Sequence, residues 1–332
     1  MAINRRNFMK GVAVAVGATV FNPASLSADT ATQMKLKTTL YKSHIKPKIS
    51  DELCEQLLAA DLPGVELNDK TVTLAEARQG RLIAEKHGVK IHSFMAGWSA
   101  LGETDQTKRA SAVEEMKNLI RLSAAYGAST MLLVPHRLGG VIPKPTKFDI
   151  DFNPADLMIN SVVKGDNTPF AEYIEAHNSA TLNCVQSINE LIPVAAREGV
   201  VIAIENVWNN MWVKPELALA FLNAFDSFWV KQYFDLGNHT RYDRAEKWLE
   251  LFGKNIAKLH IKDFMIERGA KNDGKFVAIG KGSVDWKSVR QAIDRVGYNG
   301  WVSIESSGWS DAEHSRILDS IFAGKGAQLP NV

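Results

Sequence analysis

A helical stretch closed by glycine, and followed at once by a short apolar strand, recurs along this chain. The clearest copies are "LIAEKHGVKIHSF", "LSAAYGASTMLLVPH", "VAAREGVVIAIEN" and "AIDRVGYNGWVSIES", with looser ones at "QLLAADLPGVELN" and "LELFGKNIAKLHIKDF". Glycine suits the left-handed residue that ends a helix because it has no Cβ to clash there. Strands that are apolar without polar alternation suit parallel pairing with both faces covered. Helices alternating with such strands build βαβ units on a parallel sheet. Strands are expected near residues 34–42, 64–68, 90–97, 130–136, 200–207, 230–237, 256–263 and 300–306. Eight such units in 332 residues fit a (β/α)8 TIM barrel, which typically takes about 250. An open doubly wound sheet normally carries a glycine-rich loop after its first strand; "LYKSHIKPKIS" has no glycine. The expected fold class is therefore α/β, one TIM-barrel domain over residues 34–325. Its long connection at 137–170 lies between the fourth strand and its helix. Structureless connections above about 15 residues are often lids or binding loops; a surface elaboration or an oligomer contact is the plain alternative.

The N-terminus differs in kind. "NRRNFMKGVAVAVGATVFNPASLSA" has a basic start, an apolar stretch of about a dozen residues and a small-residue end, the build of a cleavable export signal. Its apolar part is shorter than the roughly 20 residues that span a bilayer. Arg5-Arg6 followed by Phe8 and Lys10 resembles the twin-arginine export motif. Residues 1–28 are read as that signal, cleaved between Ser25 and Asp29, and the mature protein is expected in the periplasm. A formal charge of +2 makes no case for nucleic acid or for a membrane surface. Two cysteines, Cys54 and Cys184, make no disulfide framework and read as buried thiols.

Four apolar runs end on an ionisable residue: "VVIAIEN" at Glu205, "KQYFDLGN" at Asp235, "IAKLHIKD" at His260 and "GWVSIES" at Glu305. In a barrel the C-terminal ends of the strands meet at one mouth, where active sites are found. Adjacent strands run about 4.8 Å apart, so four consecutive strand ends can converge on one ion. Three carboxylates that close repel one another and raise their own pKa values. A divalent cation removes the conflict, and an oxygen-rich set with one imidazole suits Mn²⁺ or Mg²⁺, with Co²⁺, Fe²⁺ and Zn²⁺ also compatible. Taken singly, each acid is equally well a helix cap or an ion-pair partner.

"IEN", "FDLGN", "LHIKD", "GKGSVDW" at 280–286 and "SIES" together resemble the xylose-isomerase-like TIM-barrel superfamily, the sugar phosphate isomerases and epimerases. The resemblance spans essentially the whole mature chain. In the ketose 3-epimerases of that group the matching Glu, Asp, His and Glu hold Mn²⁺ or Co²⁺, and the two glutamates are the acid/base pair. The resemblance thus implies Glu205, Asp235, His260 and Glu305 as metal ligands and Glu205 and Glu305 as catalytic groups. It implies proton abstraction next to a carbonyl on an unphosphorylated sugar or sugar derivative. This chain departs from the epimerases at three places. Asn238, followed by His239, stands where they carry His. Asn209, Asn210, Met211 and Trp212 stand where they carry a substrate-binding Glu. Arg268 is an approximate match to their Arg. Trp98, Trp208, Trp212 and Trp309 follow strand ends and suit the apolar face of a sugar ring. The expected substrate-binding set is His136, Trp208, Asn238, His239, Lys262 and Arg268, with His92 a weaker candidate. The main alternative is a metal-dependent 3-keto-glycoside lyase or hydrolase, since elimination begins with the same proton abstraction. An endonuclease IV-like repair enzyme needs more His and Asp ligands than follow His260, and a non-catalytic sugar-binding protein needs no pair of glutamates. The expected partner is a small sugar or glycoside, with no nucleic acid, no membrane beyond export, and a homo-oligomer compatible with the sequence.

Overall fold

Four glycines of the repeats, Gly88, Gly127, Gly199 and Gly297, follow their helices with φ of 74°, 73°, 69° and 69°. Each turns the chain back toward the sheet. The computed structural model describes residues 38–139, 142–145 and 147–330, and the signal-like segment at 1–28 lies outside them. The barrel strands are β1 (Leu40–Lys46), β2 (Gly64–Leu67), β3 (Lys90–Trp98), β4 (Thr130–Val134), β5 (Val201–Ile204), β6 (Val230–Asp235), β7 (Ile256–Ile261) and β8 (Gly300–Ile304). Each pairs in parallel with its chain neighbours, and β8 pairs with β1 to close the barrel. Among the described residues eight longer helices follow the strands: α1 (Asp51–Ala59), α2 (Leu74–His87), α3 (Gln106–Ala125), α4 (Ala171–Glu198), α5 (Pro215–Asn223), α6 (Ala245–Phe252), α7 (Trp286–Val296) and α8 (Asp311–Phe322), with one helical turn, Leu236–Thr240, directly after β6. Thr73 with Glu76 and Ser310 with Glu313 form capping boxes at the starts of α2 and α8. Each satisfies two backbone N–H groups that the first helical turn leaves free.

β2 to β8 begin within one residue of their expected starts, whereas β1 begins at Leu40 rather than near 34. The displacement has a physical cause. β1 is not an apolar run: Lys42 is buried against Asp61 and Asp319, and His44 and Lys46 meet Asp311. Buried charges are tolerated when they are paired, so a strand rich in Lys and His can sit here without matching the apolar pattern.

The outer face of the barrel and the inner faces of the helices form one continuous apolar core, with Leu57, Phe94, Ile120, Ile188, Phe234 and Ile317 fully buried. A second, smaller cluster of Leu132, Val134, Ala203 and Tyr233 sits apart from it. Tyr233 lies two residues before Asp235 and Ala203 two before Glu205, so this cluster shares the face from which the site projects. Cys54 and Cys184 are buried and unbridged. Among the described residues no helix is long and apolar enough to cross a membrane.

The long connection after β4 is held down. It carries a short antiparallel pair, Asp151–Phe152 with Ile159–Ser161, and a 3-10 turn at Thr168–Phe170 that leads into α4. Leu157, Ile159 and Val162 are buried beneath it, and each such aliphatic side chain contributes about 1.5–3 kcal/mol when fully buried. A second antiparallel pair, Asp263–Ile266 with Gly274–Val277, rises after β7. Asp263 ties it to the "GKGSVDW" segment: its carboxylate accepts from the N–H groups of Gly280 (2.9 Å), Gly282 (3.0 Å) and Val284 (3.3 Å) and from Trp286 Nε1 (3.2 Å). A Cβ on Gly282 would fall 2.0 Å from Asp263 Oδ1. The two sequence motifs are thus halves of one clasp at the barrel mouth.

Candidate metal centre

Each of the four candidate ligands sits at the end of its strand. Asp235 is the last residue of β6, and His260 is the penultimate residue of β7. Glu205 and Glu305 are one residue beyond β5 and β8, each held in register by its N–H, to Leu133 O at 2.9 Å and Ile261 O at 3.1 Å. One ligand atom from each of the four lies within 4.8 Å of the others. His260 Nδ1 is 3.0 Å from Glu305 Oε2 and 3.9 Å from Asp235 Oδ2. Neither His260 Nδ1 nor Asp235 Oδ2, both buried, has a hydrogen-bond partner. Buried polar atoms are almost always paired, and these two point into the space that the four side chains enclose. Three carboxylates, one imidazole and two orphaned donor atoms fit a divalent cation.

The electrostatics describe the same unmet demand for charge. Burial, with Glu305 and Asp235 nearby, pushes the Glu205 carboxyl up to about 8. Burial likewise raises Asp235 to about 6, against the pull of Lys262. Glu305 goes the other way: burial raises it, but His260 and Lys262 outweigh that and hold it below the usual carboxylate range. Lys262 Nζ lies 2.9 Å from Glu305 Oε2 and 3.4 Å from Asp235 Oδ2. One ammonium lies against Glu305 and Asp235, and for Glu205 burial and the other carboxylates outweigh the pull of His260 and Lys262.

Beneath the four residues stands Glu66 in β2, fully buried, which sequence reasoning missed. Its Oε2 lies 2.9 Å from His260 Nε2 and also accepts from the Tyr233 hydroxyl. Nε2 thus donates to Glu66, and with an ion bound Nδ1 would offer its lone pair on the side of Asp235 and Glu305. Carboxylate–histidine–metal arrangements of this kind fix the tautomer and raise the basicity of a ligating imidazole. The signal was present: "GVEL" places an acid inside an apolar run, as the four ligand strands do.

The structure divides the expected substrate-binding residues. Lys262 is in the site. Asn238 is also there, but its Nδ2 donates to Glu205 Oε1 at 2.6 Å and so orients a ligand. His239 is buried with Nδ1 2.7 Å from Asp235 O and Nε2 2.8 Å from Asn206 Oδ1, which leaves no ring nitrogen for a substrate. His92 is likewise buried, with Nε2 2.8 Å from Ser43 Oγ. His136, partly buried just past β4, packs against Gly102. Where the epimerases carry a substrate Glu, the chain turns into the core: Asn209, Met211 and Trp212 are buried, and Trp212 Nε1 donates to Thr181. Of the other tryptophans, Trp98 is exposed beneath Arg137, and Trp309 donates to Ile279 O.

Trp208 and Arg268 line a cleft of about 1350 Å³ whose walls carry seven Lys and Arg side chains against three carboxylates. None of the four candidate ligands lines it. Trp208 connects the two regions. Its Nε1 donates to Asn238 O at 3.0 Å, its ring stacks on Phe276 with centroids 4.9 Å apart, and Arg241 lies 4.7 Å over its face.

The family model described as xylose isomerase-like TIM barrel matches residues 54–320. An L-ribulose-5-phosphate 3-epimerase of Escherichia coli O1:K1 is 27% identical over 142 residues, 42% of this chain and 47% of that protein. An uncharacterised protein of Methanocaldococcus jannaschii is 27% identical over 142 residues, 41% of this chain and 47% of that one. The matched stretch thus spans about half the length of these curated relatives. Among solved structures, a 3-keto-D-glucoside 4-epimerase from E. coli has a TM-score of 0.63 at 14% identity, over 86% of this chain and 99% of that one. An L-ribulose 3-epimerase has a TM-score of 0.61 at 15% identity, over 86% and 95%. At those identities the likeness is one of fold.

Proposed function

The chain belongs to the xylose isomerase-like TIM-barrel family, and from that premise we propose that it is a metal-dependent sugar isomerase of the epimerase kind. Its substrate is an unphosphorylated sugar or sugar derivative, and its reaction is proton abstraction next to a carbonyl. The observation that carries this reading is the convergence of Glu205, Asp235, His260 and Glu305 with two buried donor atoms left unpartnered. A divalent ion there, Mn²⁺ foremost, would supply Lewis-acid polarisation of the carbonyl and stabilise the charge of the enediolate. Glu305, whose side chain is 35% exposed, is the group a substrate can reach, and it takes the proton. Lys262 keeps that carboxylate charged and oriented. Glu205, buried and held by Asn238, returns a proton from its own side. Asp235 and His260 bind without exchanging protons with substrate.

A second reading keeps these roles and replaces reprotonation by loss of a β-leaving group, as in a 3-keto-glycoside lyase. The observation that favours it is that Trp208 links the site to a cleft of about 1350 Å³, above the roughly 300–1,000 Å³ of ordinary small-molecule pockets, into which an aglycone would extend. Solvent deuterium incorporation across free ketoses and 3-keto-glycosides tests both. Exchange without bond cleavage supports epimerisation, and release of the aglycone supports elimination. Absence of exchange with every sugar, in protein shown to carry metal, refutes both. We place the enzyme in the periplasm on the strength of the twin-arginine pattern at Arg5-Arg6. Phosphorylated sugars are cytoplasmic, so export supports a free sugar; a strong preference for the phosphate ester over the same free ketose would overturn that part.

A further inference from the structure

The seam where the barrel closes holds a second group of metal-binding side chains. His44, near the end of β1, faces Asp311 and His314 in the first turn of α8. One ligand atom from each lies within 4.8 Å of the other two. His44 Nδ1 is 2.7 Å from Asp311 Oδ1, and the His44 and His314 rings stand edge to face with centroids 5.6 Å apart. Lys46 Nζ is 2.9 Å from the other oxygen of Asp311, Oδ2, and 3.1 Å from Oδ1. His314 is 1% exposed, and neither of its ring nitrogens has a hydrogen-bond partner. Buried polar side chains nearly always find a partner; this imidazole lacks one on both nitrogens, beside a carboxylate and a second imidazole.

We propose that His44, Asp311 and His314 form a second divalent-metal site, separate from the cluster at the mouth. Two imidazoles and one carboxylate are a donor set for Zn²⁺ or Co²⁺, with a fourth position open to water. The cluster at the mouth is oxygen-rich by contrast, so the two sites differ in the ions they prefer. Lys46 does not oppose this assignment. Ligating carboxylates are commonly hydrogen-bonded from outside, and Lys46 can hold Oδ2 while Oδ1 faces the imidazoles. Its side chain is 21% exposed and free to give way. An ion here joins the first strand to the last helix, and its effect falls on stability rather than on turnover.

Co²⁺ binding to the full chain tests the assignment, after chelation, with ions per chain counted by equilibrium dialysis and elemental analysis. The expected result is two ions in the unaltered chain, one in His314→Phe and one in Asp235→Ala. The ion kept by Asp235→Ala should show the strong visible absorption of four-coordinate Co²⁺. Zn²⁺ should raise the Tm of Asp235→Ala and leave the Tm of an Asp235→Ala, His314→Phe double variant unmoved. His44→Gln gives the same count should His314→Phe fail to fold. Two ions retained in both His variants, or a single ion in the unaltered chain that Asp235→Ala abolishes, overturns the proposal. Neither result bears on the activity assigned to the mouth.

Discussion

Glu66→Gln isolates the contribution of the buried carboxylate behind the metal ligand. The change keeps the shape of the side chain and removes its charge. In the native chain His260 Nε2 is 2.9 Å from Glu66 Oε2, and Tyr233 donates to the same oxygen. With glutamine, one of two things follows. The amide oxygen keeps the imidazole tautomer without raising its basicity, or the amide N–H turns toward Nε2 and forces the proton onto Nδ1, where the ion binds. Losing such an outer partner typically costs 10–100-fold in metal affinity, about 1.4–2.8 kcal/mol at 1.4 kcal/mol per decade. The expected result is a Mn²⁺ dissociation constant raised by that factor. Tyr233→Phe, which removes a neighbour of Glu66 and leaves the imidazole contact, should change it less. Isothermal titration of chelator-stripped protein reads both, with circular dichroism confirming the fold. An affinity for Glu66→Gln within twofold of the unaltered chain would show that Glu66 serves only the interior packing of the barrel, and the tautomer argument would fall with it.

Asp235→Ala and His260→Ala should each strip the mouth of its ion by elemental analysis, and full occupancy there in both would refute the ligand assignment. Glu305→Gln should fold, keep its ion and lose solvent deuterium exchange, because an amide cannot accept the substrate proton; near-normal exchange would identify another base. Gly282→Ala should lower Tm by an amount equivalent to about 1–3 kcal/mol, the usual cost of overpacking, because its Cβ would fall 2.0 Å from Asp263 Oδ1. Arg5→Lys with Arg6→Lys should leave the protein in the cytoplasm, metallated and active, as cell fractionation would show.

The barrel was legible because its signals are local. Glycine after a helix and a largely apolar strand each follow from the backbone of a few residues, and the four clearest repeats, which lead into β3, β4, β5 and β8, carry both. β1 carries neither, since its Lys42, His44 and Lys46 are paired by residues from the other end of the chain. The four candidate ligands were legible because an acid or imidazole ending an apolar run is itself a local anomaly. Glu66 shows the same anomaly, but its meaning depends on His260, 194 positions away. The partners of His239 were hidden for a matching reason: a histidine beside a candidate ligand reads the same whether its ring faces the mouth or Asn206.

Asn238, one of the residues that depart from the epimerase pattern, lies on a path from the mouth to the cationic cleft. Asn238 donates to Glu205, Trp208 donates to the backbone of Asn238, and Arg241 covers Trp208 in the wall of the cationic cleft. The segment after Glu205, where the epimerases place a substrate carboxylate, is here committed to the core through Trp212. A small ketose in the mouth thus loses one of the groups that grip it in those enzymes. A larger substrate gains an aromatic face and several cations beyond the mouth. On the proposed function, the four candidate ligands are the part that proton abstraction needs. On that reading the cleft reached through Trp208, not the ligand cluster, would choose the substrate, which favours a sugar derivative with a group long enough to reach Trp208; an anionic group would find the better electrostatic match.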